Sequence, residues 1–178
     1  MFLLLSSVIN MSIAESLLPE FDQEMATTRR VLERTPEAHV AWKPHPKSFS
    51  LGDLAMHVAH LPYWTEITFK QTEFDVHPPG GSQEPPRVWK STASLVESFD
   101  VTVKNARAVL AATDDEDCLV PWSLKNGGAV AFTLPRIAVF RSFCMNHLIH
   151  HRGQLTVYLR LKDVPLPMVY GPTADARP

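Results

Sequence analysis

Residues 146–161 read NHLIHHRGQLTVYLRL and contain His147, His150 and His151 within a segment of helical periodicity. The periodic pattern begins upstream, at Pro135, because proline suits the first turn of a helix. Apolar residues then recur on one side, at Ile137, Phe140, Cys144, Leu155 and Tyr158. The sequence therefore predicts a long last helix from Pro135 to about Leu161.

The direction in which each histidine points follows from helix geometry. An α-helix advances about 100° per residue, which places His147 and His151 within about 40° of the centre of the apolar stripe and His150 about 100° away. Two imidazoles four residues apart on one face can share one metal ion. We therefore expect His147 and His151, and not His150, to face the interior.

Three further helices are predicted upstream. The first begins at Ser12 and continues to about Arg34. The second follows a Ser50 cap and covers Leu51 to about Phe74, with a local bend at Pro62. The third covers Ser91 to about Ala112.

The segment CLVPWSLKNGGAVAFTLP, residues 118–135, differs from the rest because two short apolar runs flank an Asn-Gly pair. This pattern favours a β-hairpin. The expected fold is all-α, an antiparallel bundle of four helices with a small β-hairpin before the last helix.

The second helix places a third histidine, His57, where it can reach the interior that His147 and His151 face. His57 lies about 80° from the centre of the apolar stripe of that helix, whereas His60 lies about 140° away and should be exposed to water. A single inward histidine is more often a hydrogen-bonded core residue than a ligand. Several converging imidazoles in an apolar bundle are harder to satisfy with hydrogen bonds, and a divalent metal would satisfy them.

Composition limits the classes of function. The 178 residues, 45% of them hydrophobic, suit one domain, and the net charge of −2 argues against nucleic acid as a partner. Cys118 and Cys144 have no CxxC spacing, which favours a cytoplasmic protein without disulfides. Residues 1–10 lack a basic start and are too short to span a bilayer, so we expect a misassigned start or a disordered extension before a domain at 11–178.

The stretches SLGDLAMHVAHLPYW and NHLIHHRGQLTVYLRL resemble the DinB family, also called the DinB/YfiT-like metalloenzymes. The most specific part is HxxxHRGQ, here His147 to Gln154, and Ser50 precedes His57 by the seven residues common in that family. The resemblance implies an antiparallel up-and-down-type four-helix bundle, often a homodimer. It also implies zinc or nickel on His57, His147 and His151, the same residues that the helical geometry favours.

The resemblance implies a class of activity and not one particular reaction. Three imidazoles leave a metal position open, as in catalytic sites, and favour a metal-dependent hydrolase or a thiol S-transferase that uses a low-molecular-weight thiol. The alternative is a non-catalytic metal-binding or stress-response protein, and a haem protein fits three converging histidines poorly. The substrate and the catalytic residues are unknown at this stage. Candidates for the pocket near the metal are Arg152, Gln154, Tyr63 and Trp64, and Cys144 is expected to be a packing residue.

Overall fold

The computed structural model describes residues 11–81 and 87–177, which are mostly helical and carry a small three-stranded sheet. The expected start or extension at residues 1–10 lies outside the described residues. Among the described helices, none has both the length and the apolar character needed to cross a membrane.

Helix α1 covers Ile13–Leu32 and begins at a complete capping box. The Ser12 hydroxyl accepts from the backbone N–H of Glu15, and the Glu15 carboxylate accepts from the backbone N–H of Ser12. These contacts satisfy two donors that a helix start otherwise leaves free. The helix ends two residues before the predicted Arg34, and Pro36 disfavours helical geometry in the residue before it.

The second predicted helix is shorter than expected and is divided at Pro62. Helix α2 covers Leu51–His60, a 3₁₀ turn covers Leu61–Tyr63, and helix α3 covers Trp64–Lys70. The expected bend at Pro62 is confirmed, because proline lacks the N–H that a continuous helix needs. The predicted end near Phe74 was wrong, since Phe74 lies in a strand.

The hairpin prediction is confirmed, and a strand that the sequence did not reveal extends it into a sheet. Strands β1 at Glu73–Asp75, β2 at Pro121–Asn126 and β3 at Ala129–Pro135 lie in that order. β1 pairs in parallel with β2, and β2 pairs antiparallel with β3. The turn uses Gly127 and Gly128 at φ of 63° and 83°, a conformation that favours glycine.

Helix α4, at Thr92–Ala111, begins after Ser91, whose hydroxyl accepts from the backbone N–H of Ser94. The short helix α5 at Asp115–Leu119 was not expected. The predicted last helix is present as α6 at Arg136–Val139, a π-helix at Phe140–Asn146 and α7 at His147–Arg160.

The core is formed where α1 and α2 each pack against α4 and α7. Burial of this apolar surface is the main favourable contribution to folding. Its largest fully buried apolar side chains include Phe21, Leu54, Phe99, Leu110 and Phe140. The expectation of a mainly helical chain with a small β-hairpin was right, and it missed the strand Glu73–Asp75 that extends the hairpin into a sheet.

A buried ion pair joins α7 to α1 at Arg152, the residue that directly follows His151. Nη1 of Arg152 lies 2.6 Å from Oε2 of Glu24, and the two side chains are 1% and 7% exposed. Arg152 also donates to the Thr28 hydroxyl at 3.2 Å and to the Tyr170 hydroxyl at 2.8 Å. The Tyr170 hydroxyl donates in turn to Glu24 at 3.0 Å, so the C-terminal segment is part of the network.

Candidate metal centre

Three histidines from two helices converge at one point of the structure. His57 lies on α2, while His147 and His151 lie one turn apart on α7. One ring nitrogen of each lies within 4.8 Å of the others, and Nε2 of His57 is 3.3 Å from Nε2 of His147. The structure thus brings together the three residues that the sequence selected.

The distances suit a shared metal ion. Two imidazole nitrogens bound to one tetrahedral zinc ion lie about 3.3–3.4 Å apart, given zinc–nitrogen distances of about 2.0–2.1 Å. The separation of 3.3 Å between His57 and His147 matches that value. The same distance also suits a direct hydrogen bond between the two imidazoles when one of the two nitrogens carries a proton. A third imidazole in reach of both is what favours a metal over a simple hydrogen-bonded pair.

The π-helix before α7 changes the backbone hydrogen bonding at His147. The backbone N–H of His147 bonds to the carbonyls of Ser142 and Cys144, whereas a regular α-helix would direct it to the carbonyl of Phe143. Burial lowers the pKa of the His147 imidazole, and the nearby Phe143 carbonyl partly offsets that shift. π-helical turns often occur at functional sites.

Gln154 orients the second ligand candidate on α7. Its Oε1 lies 2.7 Å from Nδ1 of His151, and the contact joins residues one helical turn apart. With Nδ1 protonated and donating to this amide oxygen, Nε2 of His151 is left with a free lone pair. The prediction that Gln154 lies close to the site is confirmed.

Phe49 covers part of the cluster and was missed by the sequence analysis. Its ring stacks on His57 at 5.7 Å between centroids and meets His151 edge-on at 6.4 Å. Phe49 remains 49% exposed, so it separates the two imidazoles from solvent on one side only. Its position just before the Ser50 cap gave no indication of this contact in the sequence.

The surroundings favour the uncharged form of all three imidazoles. Burial, followed by the charges of His151 and His147, lowers the pKa of His57 to about 4. Burial is also the main cause of the lowered pKa values of His147 and His151. Neutral imidazole is the form that coordinates a metal, so the electrostatics favour binding near neutral pH.

The two neighbouring histidines that the sequence analysis did not select, His60 and His150, differ in their exposure. His150 is exposed, as predicted. His60 was expected to be exposed and is half-buried, with its ring 5.0 Å from that of Tyr63. Burial and the charge of Arg87 lower the pKa of His60 to about 4. The helical geometry of α2 could not anticipate this, because the covering residues come from other parts of the chain.

The remaining candidates have mainly structural contacts. Arg152 faces α1 in the buried ion pair, and Trp64 belongs to an aromatic group with Phe74, Trp122 and Phe143. Cys144 is fully buried, which raises the pKa of its thiol to about 12, and its sulfur lies 3.3 Å from the Thr65 hydroxyl. A thiol held in this way is not a nucleophile at neutral pH, as the packing interpretation predicted.

An open cavity of about 300 Å³ reaches the cluster at His151. Its charged lining residues are Lys43, Lys47 and Asp53, and Phe49 and Gln154 also contribute. A small molecule can therefore approach the imidazole of His151 from solvent. Such access is typical of binding or catalytic sites, whereas structural metal sites are usually closed.

Comparison with known proteins identifies the family. The DinB superfamily model matches residues 20–155, which include all three histidines. A DinB-like protein from Bacillus subtilis has a similar structure, with a TM-score of 0.66, 19% identity, and coverage of 86% of this chain and 96% of that chain. A DinB-like protein from Bacillus cereus gives a TM-score of 0.68, 22% identity, and coverage of 90% and 99%. Among curated proteins, none matches the sequence. The superfamily model covers three quarters of the chain, which shows that the chain belongs to the DinB superfamily.

Proposed function

We propose that the chain binds one divalent metal ion, zinc or nickel, through His57, His147 and His151, and that it is a metal-dependent enzyme of the hydrolase or thiol S-transferase type. The observation that carries the proposal is the convergence of three ring nitrogens within 4.8 Å of one another. The lowered pKa values of all three histidines support it, because each can coordinate without first losing a proton near neutral pH.

Catalysis is favoured over storage by access to the cluster. A metal held only for storage or structure is best enclosed by protein ligands, and three histidines leave at least one coordination position free. The cavity lined by His151 and Gln154 leads to that region from solvent. A bound zinc or nickel ion would supply Lewis acidity and would lower the pKa of water or of a thiol.

The protein's own residues would prepare the site for this chemistry. Gln154 would fix the ring of His151 through its second nitrogen. Phe49 limits water on the His57 side, which strengthens electrostatic interactions within the site. Lys43 and Lys47 line the approach together with a single carboxylate, that of Asp53, and this excess of positive charge would attract a negatively charged substrate or thiolate.

Activity can be tested with metal-loaded protein. We would screen hydrolysable esters and amides, and the transfer of a low-molecular-weight thiol to an electrophile, with zinc and with nickel. Activity should disappear in His151→Ala and persist in His150→Ala, a matched control one residue away on the exposed side of α7. Activity that is equal in both variants, or that survives complete metal removal, would contradict a metal-dependent reaction at this site.

The same proposal includes the bundle topology, the oligomeric state, the location and the partners of the chain. We propose that α1, α2, α4 and α7, which pack against one another, form the up-and-down four-helix bundle of the superfamily within a single domain from residue 11 to residue 178. Val157 and Leu161 are exposed one turn apart, which supports a homodimer, and analytical ultracentrifugation tests it. Both cysteines are free, which supports a cytoplasmic location. We expect neither nucleic acid nor a membrane to be a partner.

A further inference from the structure

The segment HRGQ at residues 151–154 contains an arginine that the proposed metal site does not use. Arg152 directly follows His151 on α7, and its side chain is 1% exposed. Because an α-helix advances about 100° per residue, Arg152 points about 100° away from His151 and about 140° away from His147. It therefore leaves α7 on a different side from the two ligand candidates.

The guanidinium of Arg152 is fixed to two consecutive turns of α1. Its Nη1 lies 2.6 Å from Oε2 of Glu24, and it donates to the Glu24 carbonyl oxygen and to the Thr28 hydroxyl, each at 3.2 Å. Glu24 and Thr28 are both buried. A planar guanidinium with several partners cannot turn without losing hydrogen bonds, so these contacts hold α7 in one position against α1.

The C-terminal segment completes this network. Nη2 of Arg152 donates to the Tyr170 hydroxyl at 2.8 Å, and the guanidinium carbon lies 5.2 Å from the centre of the Tyr170 ring. The same hydroxyl donates to Oε1 of Glu24 at 3.0 Å. Two different parts of the chain, α1 and the segment after α7, therefore hold Arg152.

A buried ion pair of this kind is a weak source of net stability. Taking two charges out of water costs free energy that their attraction often only balances, and apolar residues in the same place are often as stable. What such a network can give is one defined arrangement, because a rotated helix would leave buried charges unpaired. The other large buried side chains of α7 are Leu148, Leu155 and Leu159, and the burial of apolar area has no preferred direction.

The proposed metal site requires α7 in one rotational position. The end of a side chain lies about 5–6 Å from the helix axis, so a rotation of about 5° moves it by about 0.5 Å, which is the tolerance of a functional site. A rotation of about 20° moves it by about 2 Å, the length of a zinc–nitrogen bond. His147 and His151 would move together relative to His57, whose Nε2 lies 3.3 Å from Nε2 of His147.

We propose that Arg152 is a positioning residue for the proposed metal site. Through its network with Glu24 and Tyr170 it fixes the rotation of α7 at which the three histidines converge. The inference rests on the proposed function where it names a metal. The convergence of the imidazoles is a property of the chain itself, and it can be measured separately.

The decisive variant is Glu24→Gln/Arg152→Met, which removes both charges and keeps much of the side-chain volume. It should recover much of the stability that either single change removes, so that a change at the histidines does not result from unfolding. Arg107→Met is the matched control, because Arg107 joins α4 to Asp22 of α1 through an exposed ion pair. Circular dichroism and urea unfolding establish that each variant is folded under the conditions of measurement.

Metal binding provides the first test. We would measure zinc affinity by chelator competition, and the visible absorption of bound cobalt(II), which depends on coordination geometry. The double variant should bind zinc about 10- to 100-fold more weakly, the range for groups that orient metal ligands, and its cobalt spectrum should differ from that of the wild type. Arg152→Lys should lie between the two, because lysine keeps the charge and lacks the planar fork. Arg107→Met should match the wild type.

Nuclear magnetic resonance provides the second test, on chelator-treated protein. The ring centres of His57 lie 5.1 Å from those of His147 and 4.6 Å from those of His151. Nuclear Overhauser effects between these rings should be present in the wild type and in Arg107→Met, and weaker in the double variant.

Unchanged Overhauser effects in the double variant would overturn the inference, and so would unchanged zinc affinity. In either case the wild type would still bind metal, and the proposed function would stand. A wild type that binds neither zinc nor cobalt would refute the proposed function, while the Overhauser effects would still decide the role of Arg152. The two failures are therefore distinguishable.

Discussion

Removal of Arg152 should destabilise the protein strongly, because its partner is buried and would lose its countercharge. The Arg152 and Glu24 side chains are 1% and 7% exposed, with Nη1 and Oε2 2.6 Å apart. Leaving one charge of such a pair without its partner costs about 3–5 kcal/mol. Domains of this kind have unfolding free energies of about 5–15 kcal/mol, so the loss is a large part of the total.

The cost can be separated into a charge effect and a packing effect. Arg152→Met keeps much of the side-chain volume and leaves Glu24 uncompensated, and Glu24→Gln keeps the shape and leaves Arg152 uncompensated. The double variant Glu24→Gln/Arg152→Met removes both charges and should recover a large part of the loss. Tyr170→Phe removes the hydroxyl that bonds to both residues, and should cost about 1 kcal/mol.

Urea unfolding followed by circular dichroism measures these differences through the midpoint and the slope m. A loss of 3 kcal/mol should lower Tm by about 6–12 °C in a protein of this size. The reasoning would be refuted if the single variants lost less than about 1 kcal/mol, which is the value expected of an exposed pair. It would also fail if the double variant were as unstable as the sum of the two single variants.

Three further predictions concern pH, ligand orientation and backbone conformation. The pKa of His57 is about 4 in the folded protein and 6.5 in its ordinary state, so the unfolded chain binds more protons between these values. Stability of the metal-free protein should therefore be complete above about pH 6.5 and fall towards pH 4, and a flat profile in urea titrations across this window would contradict the burial of His57. Gln154→Ala should weaken metal binding by about 10- to 100-fold in chelator competition, because His151 loses its orienting partner, and unchanged affinity would exclude that role. Gly127→Ala should destabilise the protein by about 1–2 kcal/mol, because φ of Gly127 is 63°. Gly153→Ala should stabilise it by about 0.5–1 kcal/mol, because Gly153 lies within α7 and has open space around it. Thermal unfolding in which both variants changed stability in the same direction would contradict these backbone conformations.

The histidines show what local periodicity can predict. His147 and His151 are half-buried and meet in the cluster, whereas His150 is exposed, because the direction of each side chain depends mainly on the helix that carries it. The π-helix at Phe140–Asn146 just before them was not predictable, since a π turn has no pattern of residues that distinguishes it from an α turn. It leaves α7 itself regular, so the relation between His147 and His151 is preserved.

The errors arose where distant parts of the chain meet. The strand Glu73–Asp75 is three residues long and is defined by parallel pairing with β2, a partner about fifty residues away. His60 was expected to be exposed from its angle on α2, and it is partly covered by residues beyond that helix. Phe49 reaches two of the histidines from a loop. Periodicity carries no information about such contacts.

The most direct measurement of the central proposal is the metal content of protein purified without a histidine tag or a chelator. We would compare the wild type with His57→Ala, His151→Ala and His150→Ala by elemental analysis after reconstitution with zinc or nickel. We predict about one metal ion per chain in the wild type and in His150→Ala, and loss of the metal in the other two variants. Equal metal content in all four proteins, or none in the reconstituted wild type, would contradict a site formed by His57, His147 and His151.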